Sequence, residues 1–372
     1  MLGLRAKRAT PAREMTHEEK IAAVCNLLCA GATPAQIVQR IHEEHGVTIS
    51  REEPYRLIRD AAARHWLRFV APRADDLSRD LEQLYPWLKS VDVVYSWDPG
   101  DVAYRAATVV LELIDAHRTL LNREEVHIGF AAGFSMRLVA KYLAELLQQV
   151  DPGRLPVLWL HALSVGFDLD SPSTDPSAFF LYLDSPGAEY QDLRKKLKFL
   201  TLRAPAVVGP GQMDVWRDMP GVREAYASRD RLDIILTSAG SLDDKDNMLN
   251  RYPNLFSPET VSKLTEQGCI GSMLWLPLAA NGPVDRSQHA EQATVLLELA
   301  QLPDYIRRGT QVVLVGGACH ICKRSKSDIT HTVLNLPDPY RLITHLVTDS
   351  SAARELIEAD QTGKRSQPRS KP

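Results

Sequence analysis

The sequence predicts an α/β protein in which a small N-terminal helix-turn-helix domain precedes a larger domain with a mainly parallel sheet. Residues 16–71 carry three short amphipathic helical segments with capping signals, and beyond residue 90 apolar runs alternate with helical segments. The charge divides in the same way. Residues 1–74 hold 12 Lys and Arg against 8 Asp and Glu, a balance of +4, whereas the chain as a whole carries −3.

The length and composition support more than one hydrophobic core. The chain has 372 residues, of which 44% are hydrophobic. We expect four segments, namely a helix-turn-helix domain over 16–71, a linker helix over 72–90, an α/β domain over 91–360 and a disordered tail over 361–372.

Two helices open the N-terminal domain. The first is predicted over 17–29, where apolar side chains recur at helical spacing, and Gly31 ends it. Thr33 and Pro34 then supply a cap and a first helical residue, so the second helix is predicted from there to about residue 44, before Gly46.

The third helix is predicted to begin at Ser50 and to run toward Trp66, because Ser50 and Glu53 have the spacing of a capping box. A short helix, a turn and a capped, arginine-rich helix are typical of a helix-turn-helix that binds DNA. The residues expected to contact DNA are Ser50, Arg51, Tyr55, Arg56 and Arg59. A small helical bundle used for oligomerisation is the alternative.

The larger domain follows a linker helix predicted over 75–88, between Pro72 and Pro86. Its strands are apolar throughout and alternate with helices, which indicates a parallel sheet covered on both faces. The predicted strands are 91–95, 126–130, 155–162, 234–238, 312–315 and 343–348, and the predicted helices include 103–121, 135–150 and 288–299. Ligands of such sheets bind at the carboxyl ends of the strands.

The most informative loop joins the strand at 126–130 to the helix at 135–150. A helix start leaves backbone N–H groups without internal acceptors and carries a partial positive charge, so it attracts phosphates. Gly133 allows a ligand to approach closely, and Ser135 can cap the helix or bind a phosphate oxygen. An ordinary strand-to-helix turn with a serine cap is the alternative.

Four loops after predicted strands carry small or polar residues, and their coincidence predicts one binding site. A lysine on such a loop would add a charge-assisted contact to a bound phosphate. The candidate ligand-binding residues are Gly133, Phe134, Ser135, Gly240, Ser241, Gly271, Ser272, Gly316, Gly317 and Lys323, and the last of these loops continues to Lys326.

Two motifs suggest other chemistry. Asp243 and Asp244 would suit the general base of a sugar-phosphate isomerase or deaminase, although a helix N-terminal cap is the simpler interpretation. Cys319 and Cys322 have the spacing of half a zinc site, but no second pair follows at the usual distance. We therefore predict no metal and no cofactor, and interpret these cysteines as reduced structural thiols, with a redox-sensing dithiol as the alternative.

The location expected from the sequence is the cytoplasm. No apolar run is long enough for a membrane helix, and the N-terminus lacks the apolar core of a signal peptide. Five cysteines in a chain of this length do not form a disulfide framework, which agrees with a reducing compartment.

The order of these motifs resembles the SorC family of sugar-responsive transcriptional regulators. The similarity extends over about residues 16–358, and its most specific part is the closing segment at 342–349 that follows the Gly316-Gly317 loop. It also includes the Arg203-Ala204-Pro205 stretch and the loop at 237–241.

The resemblance implies a sensor domain similar to ribose-phosphate isomerases and glucosamine-phosphate deaminases, here a sugar-phosphate-binding domain over 91–360. It implies operator DNA and a phosphorylated sugar effector as partners, a homodimer or homotetramer, and no membrane partner. Carried over by position, Gly133, Phe134 and Ser135 would hold the phosphate, with Lys323 as counter-charge. Gly240 and Ser241 would face the sugar. The family usually has Gly-Asp where this chain has Gly271-Ser272.

Overall fold

The computed structural model describes residues 15–64, 66–67, 69–166, 172–184, 190–209, 211–244, 247, 256–287, 289–319 and 322–362. The chain divides into two compact units, one ending at Val70 and the other beginning at Ala71.

The first unit consists, in its described part, of three helices, α1 (His17–Cys29), α2 (Pro34–His45) and α3 (Glu53–Ala63). Capping boxes begin the first two, as the Thr16 and Thr33 hydroxyls each accept a hydrogen bond from a backbone N–H of the first turn. The predicted positions of α1 and α2 are confirmed. Their apolar faces and that of α3 form one small core of Ile21, Val24, Ile37, Ile41, Ile49, Leu57 and Ala61.

Helix α3 begins three residues later than the sequence suggested. Ser50 does not cap it, because Glu52 is the cap residue and makes no side-chain capping bond. One half of the expected capping box forms, in which the Glu53 carboxylate accepts from the Ser50 N–H at 3.4 Å. The buried Pro54 lies in the first turn, where its missing N–H costs no intrahelical bond, and the helix therefore starts beside it.

The second unit is an α/β domain. Its helices are α4 (Asp75–Leu84), α5 (Pro99–Thr119), α6 (Phe134–Leu147), α7 (Pro176–Phe179), α8 (Leu181–Asp184), α9 (Gln191–Lys196), α10 (Gln212–Arg217), α11 (Val222–Ser228), α12 (Pro258–Glu266), α13 (Leu302–Arg307), α14 (Ser327–Leu334) and α15 (Ser350–Gln361). Its strands are β1 (Ser90–Val94), β2 (Glu125–Phe130), β3 (Val157–Ala162), β4 (Leu197–Leu200), β5 (Val207–Val208), β6 (Ile234–Thr237), β7 (Ala239–Ser241), β8 (Cys269–Met273), β9 (Leu276–Ala279), β10 (Gly282–Pro283), β11 (Gln292–Ala293), β12 (Gln311–Val315) and β13 (His345–Asp349).

Among the described residues, seven strands form a parallel sheet in the order β1-β13-β12-β6-β2-β3-β4. The central strands are buried along almost their whole length, and the side chains of α5 and α6 pack into the same core. All six predicted strands lie in this sheet, each within two residues of the predicted bounds. The predicted parallel α/β class is confirmed.

The segment 72–90, predicted as a linker helix, is part of the second unit. The Ala74 N–H donates to the Val93 carbonyl at 2.8 Å, and the Ser78 hydroxyl accepts from the Val93 N–H at 3.1 Å. These two hydrogen bonds connect the start of α4 to β1. Helix α4 also packs against α15. The helix ends before Tyr85 because Pro86 disfavours helical backbone at the preceding residue.

The prediction of a helix over 288–299 is wrong. The described part of this stretch is extended: the Leu296 N–H donates to the Leu163 carbonyl at 2.8 Å, and the Thr294 carbonyl accepts from the Val165 N–H at 3.2 Å. Its apolar run is buried as an extended segment, a case in which periodicity alone does not distinguish helix from strand.

A four-stranded antiparallel sheet, β10-β9-β8-β7, was not predicted. Its strands are short and rich in glycine, so they carry little hydrophobic pattern. At the other end of the chain, the tail was predicted as disordered over 361–372. Gln361 is instead the last residue of α15 and Thr362 is its C-cap, and residues 363–372 lie outside the described residues. No described helix is both long and apolar enough to cross a membrane.

Candidate functional site

A cleft of about 590 Å³, open to solvent, lies where β2 and β6 end and the antiparallel sheet begins. This is the carboxyl edge of the parallel sheet, where ligands of such folds bind. The lining residues are Ala131, Ala132, Gly133, Phe134, Ser135, Ser238, Ala239, Gly240, Asp244, Asn247, Ser272, Leu274, Trp275 and Lys326. Five of the predicted ligand-binding residues are therefore brought together there: Gly133, Phe134, Ser135, Gly240 and Ser272.

The start of α6 forms one wall of the cleft. Gly133 is the cap residue and has a φ of 123°, a backbone conformation that favours glycine. The chain is held on either side, as the Gly133 N–H donates to the Thr174 carbonyl at 2.9 Å and the Ala132 N–H donates to the Ser164 hydroxyl at 3.0 Å. The first-turn N–H groups of α6 therefore have a fixed position at the cleft, and the start of the helix carries a partial positive charge there.

Ser135 does not cap this helix. It is the second helical residue, and α6 has no side-chain capping bond. Because Gly133 takes the cap position, the Ser135 hydroxyl lies on the first turn at the cleft wall. Of the two roles expected from the sequence, a contact to a bound oxyanion is the one compatible with this position.

The hairpin between β8 and β9 supplies an aromatic wall. Met273 pairs with Leu276, so the turn consists of Leu274 and Trp275, whose φ values are 54° and 64°. Two positive φ angles match the twist of a two-residue hairpin but are costly for bulky residues. The half-buried Trp275 indole stands opposite Gly133, with its Nε1 3.9 Å from the position a Cβ would take there.

The loop after β7 supplies the polar floor. The Asn247 amide donates to the Gly240 carbonyl at 3.2 Å and to the Ser272 hydroxyl at 3.3 Å, which joins β7 to β8 at the cleft. Asp244 is buried beside it, and its N–H donates to the Ser241 carbonyl at 3.0 Å. Asp244 therefore lies in a turn, and the two residues that follow it lie outside the described residues.

The lysine in the cleft is Lys326 and not Lys323. Lys326 Nζ lies 3.8 Å from Asp244 Oδ2, and the lysine side chain is 13% exposed. Lys323 is exposed, has a φ of 58° and does not line the cleft. The two lysines are three residues apart on one loop, and the sequence does not show which of the two side chains lines the cleft.

Four further predicted residues do not line the cleft: Ser241, Gly271, Gly316 and Gly317. Ser241 pairs with Gly271 between β7 and β8. A Cβ at Gly271 would lie 2.4 Å from the Gly240 carbonyl oxygen, and one at Gly317 would lie 3.0 Å from Val102 Cγ2. A Cβ at Gly316 would lie similarly close to the Thr330 side chain. These glycines permit close packing of the elements that build the cleft walls.

Asp349 holds the loop after β12 in place. Its carboxylate accepts from the Ala318 N–H at 3.1 Å and from the Ser351 and Ala352 N–H groups of α15. Burial raises the pKa of this carboxyl. The same side chain thus caps a helix and fixes the position of the Gly316-Gly317 loop.

The residues predicted to contact DNA lie in the first unit and are exposed. Tyr55, Arg56 and Arg59 share one side of α3, opposite its buried residue Leu57. Arg56 forms an ion pair with Glu53 at 3.4 Å. Ser50 and Arg51 precede the helix on the same exposed stretch.

Sequence reasoning missed several members of the cleft. Asn247, Leu274 and Trp275 come from a turn and a hairpin tip that no periodic pattern predicts. Asp244 was considered, but for a different role. A glycine-flanked hairpin with an aromatic tip is the signal that could have indicated Trp275.

No protein-family model matches the chain, and no curated protein matches it. Solved structures do match. The full-length sorbitol operon regulator SorC from Klebsiella pneumoniae aligns with a TM-score of 0.61 and 19% identity, covering 92% of this chain and 100% of its own.

Two further solved structures give similar values. A transcriptional regulator from Streptococcus pneumoniae TIGR4 aligns with a TM-score of 0.57 and 16% identity, over 77% of this chain and 97% of its own. A DeoR family transcriptional regulator from Listeria monocytogenes aligns with a TM-score of 0.52 and 16% identity, over 76% and 98%. The chain therefore has the fold of these regulators, as its resemblance to the SorC family implied.

Proposed function

We propose that this chain is a transcriptional regulator of the SorC type, whose first unit binds operator DNA and whose second unit binds a phosphorylated sugar. The observation that carries the proposal is the meeting of the α6 start, the Ser135 hydroxyl and Lys326 in one cleft at the carboxyl edge of the sheet. The shared fold with the sorbitol operon regulator supports it.

The cleft offers different chemistry to the two ends of such a ligand. A phosphate gains backbone N–H donors and a partial positive charge at α6 and a full charge at Lys326. A sugar would meet the Asn247 amide and the Ser272 hydroxyl, and its apolar face would meet the Trp275 ring.

The regulatory step is differential binding. A ligand that favours one arrangement of a homodimer or homotetramer changes the spacing of the DNA-binding units and hence the affinity for two half-sites. A ligand with equal affinity for both arrangements would change nothing.

A thermal-shift screen tests the effector. Phosphorylated sugars and their unphosphorylated counterparts are added to the full chain, and a phosphorylated one should raise the melting temperature more than its counterpart, because binding to the folded state stabilises it. Equal shifts within every pair would refute a phosphate site. Incubation with ribose 5-phosphate or glucosamine 6-phosphate should give no product, whereas turnover would favour the isomerase or deaminase alternative.

A paired substitution tests the DNA-binding unit. Arg56→Ala with Arg59→Ala should weaken DNA binding and reduce the slope of log affinity against log salt by about 2, since each phosphate contact contributes about 0.9. Arg64→Ala is the control, because Arg64 follows the end of α3, outside the exposed stretch that carries Arg56 and Arg59, and pairs with Glu18 of α1 at 3.0 Å. If the wild type does not bind DNA at low salt, a regulator acting through protein contacts becomes the better model.

A further inference from the structure

Two cysteines and a carboxylate converge at the edge of the cleft. Cys319 Sγ lies 3.3 Å from Asp244 Oδ1, and Cys322 Sγ lies 4.0 Å from the same oxygen. The three potential ligand atoms lie within 4.8 Å of one another. They come from two loops far apart in sequence, the one after β7 and the one after β12. These loops lie close together because β7 directly follows β6, and β6 is the neighbour of β12 in the parallel sheet.

The backbone around the cysteines already has a compact turn. The Cys322 N–H donates to Cys319 Sγ at 3.4 Å, and the Cys319 carbonyl accepts from the Lys323 N–H at 3.0 Å. Lys323 has a φ of 58°, which closes the turn. The turn therefore brings the two sulfur atoms to the same carboxylate oxygen.

We propose that Asp244, Cys319 and Cys322 form a binding site for a zinc-like divalent transition-metal ion at the wall of the cleft. Zinc bonds of about 2.3 Å to sulfur and about 2.1 Å to oxygen place tetrahedral sulfur and oxygen ligands about 3.6 Å apart. The two observed sulfur-to-oxygen distances lie on either side of that value. Thiolate ligands select against Mg²⁺ and Ca²⁺.

The charges agree with this assignment. Two thiolates and a carboxylate carry −3 against +2 on the metal, which leaves a net charge of −1, and the Lys326 ammonium lies 3.8 Å from Oδ2. Oδ1 faces the sulfurs, and Oδ2 faces Lys326. Three protein ligands leave a fourth position for water or for an oxygen of a molecule in the cleft, as in catalytic zinc sites.

Cobalt titration of the reduced full chain tests the site, and it requires no sugar. Co²⁺ should bind once per chain, with thiolate-to-metal charge-transfer absorption and the intense visible bands of tetrahedral cobalt, and Zn²⁺ should abolish both. Cys319→Ser and Cys322→Ser should each weaken the charge transfer, and the double variant should lose it. Asp244→Asn should weaken cobalt binding by at least about tenfold, since even indirect partners of a metal contribute that much.

Cys269→Ser is the matched control, because Cys269 is a buried thiol that donates to the Gly271 carbonyl at 3.3 Å and stands outside the cluster. The cobalt absorption bands of this variant should equal those of the wild type. Wild-type protein without charge transfer, or a double cysteine variant that retains it, would overturn the proposal.

A second measurement uses wild-type protein alone and does not depend on how the variants fold. Zn²⁺ should slow alkylation of Cys319 and Cys322 in peptide mass mapping and leave Cys25 and Cys29 unchanged. Equal alkylation with and without Zn²⁺ would overturn the site, as would a disulfide that forms between Cys319 and Cys322 while no metal binds. A chain that binds cobalt but no phosphorylated sugar would refute the proposed effector and leave the metal site standing.

Discussion

Replacing Lys326 by glutamine should discriminate between phosphorylated and neutral ligands. A hydrogen bond to a charged group contributes about 1.5–3 kcal/mol, and each 1.4 kcal/mol is about tenfold in affinity, so Kd for a phosphorylated sugar should rise about 10- to 150-fold. The lysine side chain is 13% exposed, so solvent screens its charge weakly, but the Asp244 carboxylate at 3.8 Å offsets part of that charge, and the lower part of the range is expected. The neutral sugar should bind almost as well as before.

The chain contains its own control for this substitution. Lys323→Gln removes the same charge three residues earlier, from an exposed side chain outside the cleft, and should change Kd by less than about twofold. Isothermal titration calorimetry with both variants, each checked by thermal unfolding, gives the comparison. Equal losses in the two variants, or an equal loss for neutral and phosphorylated ligands of Lys326→Gln, would refute the assignment of Lys326 as the counter-charge.

Two other predictions concern stability. Gly271→Ala should lower the free energy of unfolding by about 1–3 kcal/mol, because the added Cβ would lie 2.4 Å from the Gly240 carbonyl oxygen. Gly240→Ala should be near neutral, because the nearest contact of its Cβ would be at 3.6 Å. Equal denaturant midpoints for the two variants would contradict this prediction. Burial lowers the pKa of His127 to about 4, of His161 to about 3 and of His345 to about 4. The unfolded chain therefore takes up protons first, and these residues reduce stability as pH falls from about 6.5 to about 4, by up to about 1.4 kcal/mol per pH unit each. His345→Gln should make the measured slope shallower, and an unchanged slope would show that this histidine does not titrate as inferred.

The parallel sheet could be predicted because its strands carry the signal along their whole length. Apolar runs such as 126–130 and 312–315 are buried on both faces, and each belongs to a regular alternation with helices. The cleft wall at the start of α6 was predictable for the same reason, since Gly133 lies at a junction between a strand and a helix that both have clear patterns.

The opposite wall was not predictable, because it depends on long-range pairing of segments without a pattern. Trp275 reaches the cleft through a strained two-residue turn, and Asn247 through hydrogen bonds to two strands. The choice between Lys323 and Lys326 depends on the backbone of one turn, in which Lys323 adopts a positive φ. The sequence predicts a helix at 292–297, where the structure has an extended segment. Because this segment is buried, its sequence lacks the alternation of polar and apolar residues that indicates a strand.

The turn at Leu274 and Trp275 has a consequence for how tightly the cleft can hold a ligand. Backbone hydrogen bonding of the flanking strands fixes the Cα of Trp275, and the half-buried indole packs against the main core, so little freedom is left to be lost when a molecule docks against it. Ordering a mobile side chain costs about 0.5–1.5 kcal/mol on association. In this hairpin that entropic cost is met during folding, which leaves the aromatic wall preorganised before any ligand arrives.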